Sequence, residues 1–214
     1  FLRAADDTLC YADHGEITPV LPRADVKLRG LHNVENLLAA IAAVWGLVPV
    51  EAMRRVGATF TGVEHRIEPV RNLDGVQYYN DSIATSPTRA IAGLRSFDQK
   101  LILIAGGYDK KISYAPLAPE LLAHVKVLVL MGATGPVIER EVRALPDFAA
   151  SGMVILHAED MQQAVELARS AARPGDIVSL SPASASFDSY PNFEARGREY
   201  KRIVNALPEK EPTA

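Results

Sequence analysis

After Gly62 the sequence settles into a regular alternation, and that alternation constrains the fold more than any other feature. Strand-like runs at 67-IEPVRNL-73, 76-VQYYN-80, 101-LILIAGG-107, 125-VKVLVLMG-132, 153-MVILH-157 and 176-DIVSLSP-182 are separated by helix-like runs near 87–96, 115–123, 134–145, 160–172 and 192–207. Four of the strands are near-continuous apolar runs, the pattern of strands buried on both faces. Strands alternating with helices imply βαβ units with right-handed crossovers. The expected fold class is therefore α/β, with a mostly parallel sheet and helices on both faces. Ligands of such sheets bind beyond the carboxyl ends of the strands. Those ends read NDS, AGGYDKK, MGATG, LHAED and LSPASAS.

The residues before this alternation read differently. A weakly alternating stretch, 8-TLCYADHGEITPV-20, predicts a β-hairpin turning at His14-Gly15. The run 32-HNVENLLAAIAAVWGL-47 has apolar residues at helical spacing and predicts a helix stopping at Gly46, with Trp45 in the core. A second short helix, 49-PVEAMRRVGATF-60, opens on Pro49. The boundary falls near 60-FTGVEHR-66. About 65 residues are few for an independent core, whereas 66–207 is a comfortable domain length. The tail 208-PEKEPTA-214 is expected to fray.

Composition removes several functions. Hydrophobic residues make up 48% of the chain, enough for a buried core, and the formal net charge of -3 lacks the basic excess of a nucleic-acid binder. Cys10 is the single cysteine, which excludes an intrachain disulfide or a Cys-based zinc site and suggests a reducing compartment. No apolar run reaches the ~20 residues of a membrane span, and FLRAADDTLC is too short and too acidic for a signal peptide. Without an initiator Met, the chain is expected to be a piece of a longer protein.

Each strand end carries candidate chemistry beside a plainer reading. Asn80, Asp81 and Ser82 end one strand, and Asp81 could accept from a ribose or simply form an Asx-turn or cap. In 104-IAGGYDKK-111 two glycines permit close backbone approach, and the lysines could meet an anion or only water. In 180-LSPASASFDSYPNFEARG-197 small hydroxyls could donate to a carboxylate or phosphate, or cap the following helix. The segment 132-GATGPV-137 is best read as a tight turn. Neither a P-loop nor G-x-G-x-x-G follows any strand. At the boundary, Arg66 could clamp a phosphate or form an interdomain ion pair. His14, His124 and His157 lack metal-ligand spacing. Several polar loops on one edge of one sheet favour a ligand site.

Taken together, 32-HNVENLLAA-40, 60-FTGVEHRIE-68, 79-YNDSIATSPT-88, 105-AGGYDKK-111 and 181-SPASASFDSYPNFEARG-197 resemble the Mur ligases, in order and over nearly the whole chain. The pattern comes nearest to the D-glutamate-adding members. The resemblance implies that residues 1–64 are the C-terminal part of a central α/β ATP-binding domain, its P-loop absent. Residues 65–210 would be the Rossmann-like, amino-acid-binding C-terminal domain. It implies an ATP-dependent, cytoplasmic, monomeric ligase of peptidoglycan synthesis joining D-glutamate to UDP-N-acetylmuramoyl-L-alanine. The substrate carboxylate would attack the γ-phosphate of ATP, and the amine of D-glutamate would then attack the acyl phosphate. ATP and Mg2+ are the implied cofactors, with the magnesium ligands and a carbamylated lysine preceding residue 1.

Roles follow at matching positions only. Asn33, Asn36, Arg66 and Asp81 fall on nucleotide-binding positions, Asn36 at the adenine. Thr85, Lys110, Ser186, Phe187 and Phe193 fall on the D-glutamate pocket. No catalytic or metal-binding residue is assigned within this chain, and the chain alone is expected to be inactive. Two positions depart from the family: Ile83 replaces the Lys of NDSKAT, removing a nucleotide-facing cation, and Ser184 replaces the Cys of SPACAS, a near-isosteric change. The rival expectations are another ligase of the superfamily, such as a folylpolyglutamate synthase, and a non-catalytic binding module.

Overall fold

Neighbouring residues on strand β6 (Leu101–Gly106) belong to two different cores. In the computed structural model, which describes residues 1–209, Leu101 and Leu103 join one apolar cluster while Ile102 and Ile104 join another. Successive strand side chains point to opposite faces, so the sheet carries a core on each side. The chain divides into two compact units, Phe1–Gly62 and the part from Val63 onward. The expected fraying of 208–214 concerns residues that from 210 on lie outside the described ones.

The second unit contains β4 (Glu68–Leu73), β5 (Val76–Asn80), α3 (Pro87–Leu94), β6, α4 (Leu117–His124), β7 (Val125–Met131), α5 (Gly135–Arg143), β8 (Val154–His157), α6 (Met161–Ala171), β9 (Ile177–Leu180) and α7 (Phe193–Ala206). The sheet order is β4-β5-β9-β6-β7-β8. β4 and β5 form an antiparallel hairpin, and every other pairing is parallel. The hairpin turns at Asp74-Gly75, both left-handed, which suits the twist of a two-residue connection. Leu94, Leu117, Leu121, Ile138 and Val142 place α3, α4 and α5 on one face; Ala164, Val165, Tyr200 and Ile203 place α6 and α7 on the other.

This topology creates the site. β9, last in sequence, inserts between β5 and β6. The chain leaves β5 and β6 toward one face and β9 toward the other. Adjacent strands whose connections diverge in this way open a crevice at their carboxyl ends. Every residue of β6 and β9 is buried. β8 differs from its neighbours: its apolar sequence predicts burial on both faces, yet it is the sheet edge and Val154 is 49% exposed. Apolar runs report side-chain type; the order of strands decides which run lies at the rim.

The first unit pairs β1 (Leu2–Arg3), β2 (Thr8–Asp13) and β3 (Glu16–Pro22) in an antiparallel sheet. The hairpin turns at His14-Gly15 as expected, both residues left-handed; the two-residue β1 is too short to leave a sequence pattern. Helix α1 (Leu31–Val44) ends two residues before Gly46, and Pro49 caps α2 (Val50–Thr59) from outside. Leu9, Val20, Leu21, Val34, Ile41 and Met53 form the core. Trp45 is half-buried at its margin, stacked on Tyr11 at 4.0 Å between ring centroids.

Candidate functional site

Loops 81–86, 107–111 and 181–189 leave the carboxyl ends of β5, β6 and β9. Glycines let the last two loops touch backbone to backbone. A Cβ on Gly106 would collide with the Met131 carbonyl, and one on Gly107 with the Ala185 carbonyl. The Tyr108 N–H donates to the Ala185 carbonyl at 2.9 Å, and the Gly106 N–H to Pro182 at 2.8 Å. The two glycines thus serve contact between strand tips. Segment 132–135 is the turn its sequence suggests, closed by the Gly135 N–H on the Gly132 carbonyl at 3.2 Å.

Of the residues expected at an amino-acid pocket, Lys110 and Thr85 meet directly: Lys110 Nζ donates to the Thr85 carbonyl at 3.2 Å, reaching past the tip of β9. Ser186 is buried one residue beyond the Ala185 carbonyl that Tyr108 holds. Phe187 is 64% exposed and meets Tyr108 edge-on, with ring centroids 6.0 Å apart. The Phe193 carbonyl accepts from Ser82 Oγ at 2.8 Å. All five therefore lie along the β5–β9–β6 edge. The α7 cap is Asn192, whose side chain accepts from the Ala195 N–H, so the serines of 181–189 are not spent on capping.

The nucleotide candidates are distributed differently. Arg66 is exposed and, among the described residues, forms no ion pair. Asp81 was expected to face a ribose, but it is 4% exposed, with Oδ2 accepting from Ser181 Oγ at 2.8 Å and Oδ1 from the Ile67 N–H at 3.3 Å. α3 packs directly against this carboxylate: a Cβ on Gly93 would sit 2.7 Å from Oδ2. Burial pushes the Asp81 carboxyl up to about 7, against the pull of those hydrogen bonds and of Arg66 and Arg89. Asn33 and Asn36 lie on α1 in the first unit. Asn33 is buried and donates to the Arg29 carbonyl at 2.7 Å; exposed Asn36 donates to Asn33 Oδ1 at 3.3 Å.

Sequence reasoning missed Arg196. It is 2% exposed and reaches from α7 into the site loops. Nε donates to Ser82 Oγ at 3.0 Å, Nη2 to the Ser82 carbonyl at 2.9 Å, and Nη1 to the carbonyls of Ser184 and Ala185 at 3.1 and 3.0 Å. A signal was present: Arg196 shares helical spacing with the buried Tyr200, Ile203 and Val204. Also missed was a buried hydroxyl chain joining Tyr114, Ser184 and Thr134, each step 2.8 Å.

Among the described residues, the one cluster with metal-ligating spacing is Glu64, His65 and Glu68. It does not fit a divalent cation. Lys201 Nζ already bridges the carboxylates, 2.6 Å from Glu64 and 2.9 Å from Glu68. Asn80 is oriented by the Ser82 N–H on its Oδ1, so its Nδ2 faces His65 Nδ1 at 2.9 Å and must donate to it. The imidazole proton then sits on Nε2, leaving no lone pair for a metal. Burial also lowers the His65 pKa, favouring this neutral form. No step through Mg2+ is assigned to these residues.

Comparisons with known proteins show the family. The family profile described as Mur ligase, glutamate ligase domain, matches residues 65–184. The UDP-N-acetylmuramoylalanine--D-glutamate ligase of Acetivibrio thermocellus is 51% identical over 204 residues, covering 94% of this chain and 44% of that protein. The chain thus spans less than half the length of this relative. A pseudomurein peptide ligase type C from Methanothermus fervidus superposes with a TM-score of 0.65 at 15% identity, over 92% of this chain and 40% of its own. The bifunctional folylpolyglutamate synthase/dihydrofolate synthase of Yersinia pestis CO92 gives 0.63 at 16%, over 91% and 43%. At such identities the structural likenesses show a shared fold alone.

Proposed function

The chain belongs to the Mur ligase family, and we propose on that premise that it is the amino-acid-binding portion of an ATP-dependent ligase adding D-glutamate to UDP-N-acetylmuramoyl-L-alanine in peptidoglycan synthesis. The fold does not choose among ligases, since folylpolyglutamate synthases share it. Sequence identity to a D-glutamate ligase favours D-glutamate. The geometric observation that carries the reading is Lys110 Nζ on the Thr85 carbonyl. It joins an ammonium group and a hydroxyl residue from separate strand tips on the edge that also holds Ser186.

The proposed division of labour follows from chemistry. Lys110 neutralises a carboxylate of the amino acid, Ser186 and Thr85 donate hydrogen bonds to it, and Phe187 and Phe193 flank its methylene chain. The bound amine is thereby positioned to attack a carboxyl activated by phosphoryl transfer from ATP. Asn33 and Asn36 contact the nucleotide, and Arg66 meets its phosphates. Asp81 acts at one remove, holding the Ile67 N–H beside Arg66. No helix among the described residues is long and apolar enough to cross a membrane, in keeping with substrates met in water.

The test is a titration of D-glutamate into the 15N-labelled 214-residue chain. Amide shifts at Thr85, Lys110 and Ser186 are expected, weakened at least ~10-fold by Lys110→Ala, as loss of a charge-assisted contact requires. Equal response to D-glutamate in Lys110→Ala would favour a binding module of another kind. Preference for a different amino acid would favour another ligase. The isolated chain is expected to release no phosphate from ATP with both substrates present; steady release would contradict the division of labour.

A further inference from the structure

We infer that Arg196 is the positioning residue of the amino-acid site, a buried fork that fixes loops 81–86 and 181–189 in one arrangement; this rests on the function proposed above. Its partners are a hydroxyl and backbone carbonyls: Ser82 Oγ and O from one loop, Ser184 O and Ala185 O from the other. Among the described residues no carboxylate bonds the guanidinium. A buried arginine that forms only a structural ion pair would have one. This one instead gathers backbone from separate strand tips.

The consequence for the site follows from peptide geometry. In a trans peptide the C=O and the following N–H point in opposite directions. Arg196 draws the Ala185 carbonyl toward α7, so the Ser186 N–H is directed away from the guanidinium. The Ala185 carbonyl also accepts from the Tyr108 N–H, which ties the Lys110 loop to the same point. On the other side Ser82 Oγ accepts from Nε and donates to the Phe193 carbonyl, so one hydroxyl links Arg196 to another pocket residue. Thr85 follows Ser82 by three residues in a tightly turned loop, with the Ala84 N–H on Asp81 O and the Thr85 N–H on Ile83 O. Moving the fork therefore moves Thr85, Ser186 and Phe193 together. Burial lowers the Arg196 pKa to about 10, which leaves the group charged at neutral pH. Its positive charge, offset only at a distance by Asp188, lies beneath a site read as binding a dicarboxylate.

The experiment compares the 214-residue chain with Arg196→Lys, which keeps charge and loses the planar fork, and with Ser82→Ala, which removes one partner and little volume. The first measurement is amide hydrogen exchange without ligand. Arg196→Lys is expected to speed exchange roughly tenfold or more at residues 82–85 and 184–186, as a local opening of this kind requires, while β6 and β7 stay unchanged; Ser82→Ala changes the 82–85 side alone. Unaltered exchange in both variants overturns the inference. Uniform acceleration through β6 and β7 in both also overturns it, because Arg196 would then serve only global stability. The second measurement is D-glutamate binding by amide shifts, expected to weaken at least about tenfold in Arg196→Lys with its thermal midpoint nearly kept. Wild-type affinity in Arg196→Lys overturns the inference. Absence of D-glutamate binding in the parent chain counts against the proposed function, and the exchange measurement then decides the role of Arg196 separately.

Discussion

The two units of the molecule use similar residues to different effect. In the second, Leu101, Leu103, Ile102 and Ile104 are all essentially inaccessible, because helices cover both faces of the sheet. In the first, residues 37–44 of α1 are all apolar, yet of these only Ile41 is buried, and Leu47 just beyond the helix is 81% exposed. Leu31, Val56 and Phe60 are exposed as well. A helix contributes to stability through the apolar surface it removes from water, so the same side chain is worth little where it stays wet. Layering governs the energetics here, and apolar content alone does not.

The largest effect expected from this contrast is on stability. Leu103→Ala should cost ~2–5 kcal/mol, the range for emptying a packed core position. Val56→Ala, at an exposed position of the first unit, should stay within about 0.5 kcal/mol. Urea midpoints at constant m-value measure both. Comparable losses at the two sites would break the contrast between a layered and an open unit.

Next in size is a pH effect confined to the second unit. Asp81 has a folded-state pKa of about 7 against an ordinary value of 3.8. Between those values the folded chain binds the extra proton, so this group's contribution is fully present below about pH 4 and is lost as pH rises through 7. At ~1.4 kcal/mol per unit the loss is at most about 4 kcal/mol. Asp81→Asn removes the titration while its amide can still serve Ser181 Oγ and the Ile67 N–H. The difference in unfolding free energy between the parent chain and Asp81→Asn should therefore change across pH 4–7 and level off above. A pH-independent difference would mean that the carboxylate is ionised throughout.

Much of this organisation was legible because the second unit repeats one physical pattern. The strands and helices of 67–207 were readable, since burial on both faces forces near-continuous apolar runs in β6, β7 and β9, and the intervening helices must be amphipathic. Ends were less sharp: the predicted 134–145 helix is Gly135–Arg143. Strand order was not legible, because a local run does not record its neighbour, so the exposed rim position of β8 was not foreseen. At the site, loop chemistry marked the strand ends, but Thr85, Lys110 and Ser186 were singled out by the family resemblance, since each loop alone also had a plainer reading. Asp81 was picked out as a polar strand end, but its inward orientation was not legible, because a sequence does not reveal that Gly93 brings α3 against its carboxylate. Arg196 was passed over because charged residues on helices usually face water; its spacing with Tyr200 was the stronger signal.

The smallest effect tests how the site edge is held from beneath, a feature the first unit lacks among its described residues. Gly107 O can only accept, and Thr134 Oγ1 donates to it at 3.1 Å. Thr134 must then accept from Ser184 Oγ, and Ser184 from the Tyr114 hydroxyl, so all three protons have one direction. The chain runs from α4's approach, through the β9 loop, to the loops after β7 and β6. Ser184→Ala should cost about 1 kcal/mol, the usual net worth of such a bond plus the stranded partners. Ser184→Cys, the side chain more usual in the family, should cost less: the thiol keeps the shape and forms weaker versions of both bonds. Tyr114→Phe removes the first donor. A double-mutant cycle between Ser184→Ala and Tyr114→Phe should show coupling of at least ~0.5 kcal/mol, as residues in one hydrogen-bond network do. Strict additivity would mean that the hydroxyls merely fill space, and that the glycine contacts and the Arg196 fork alone hold the strand tips together.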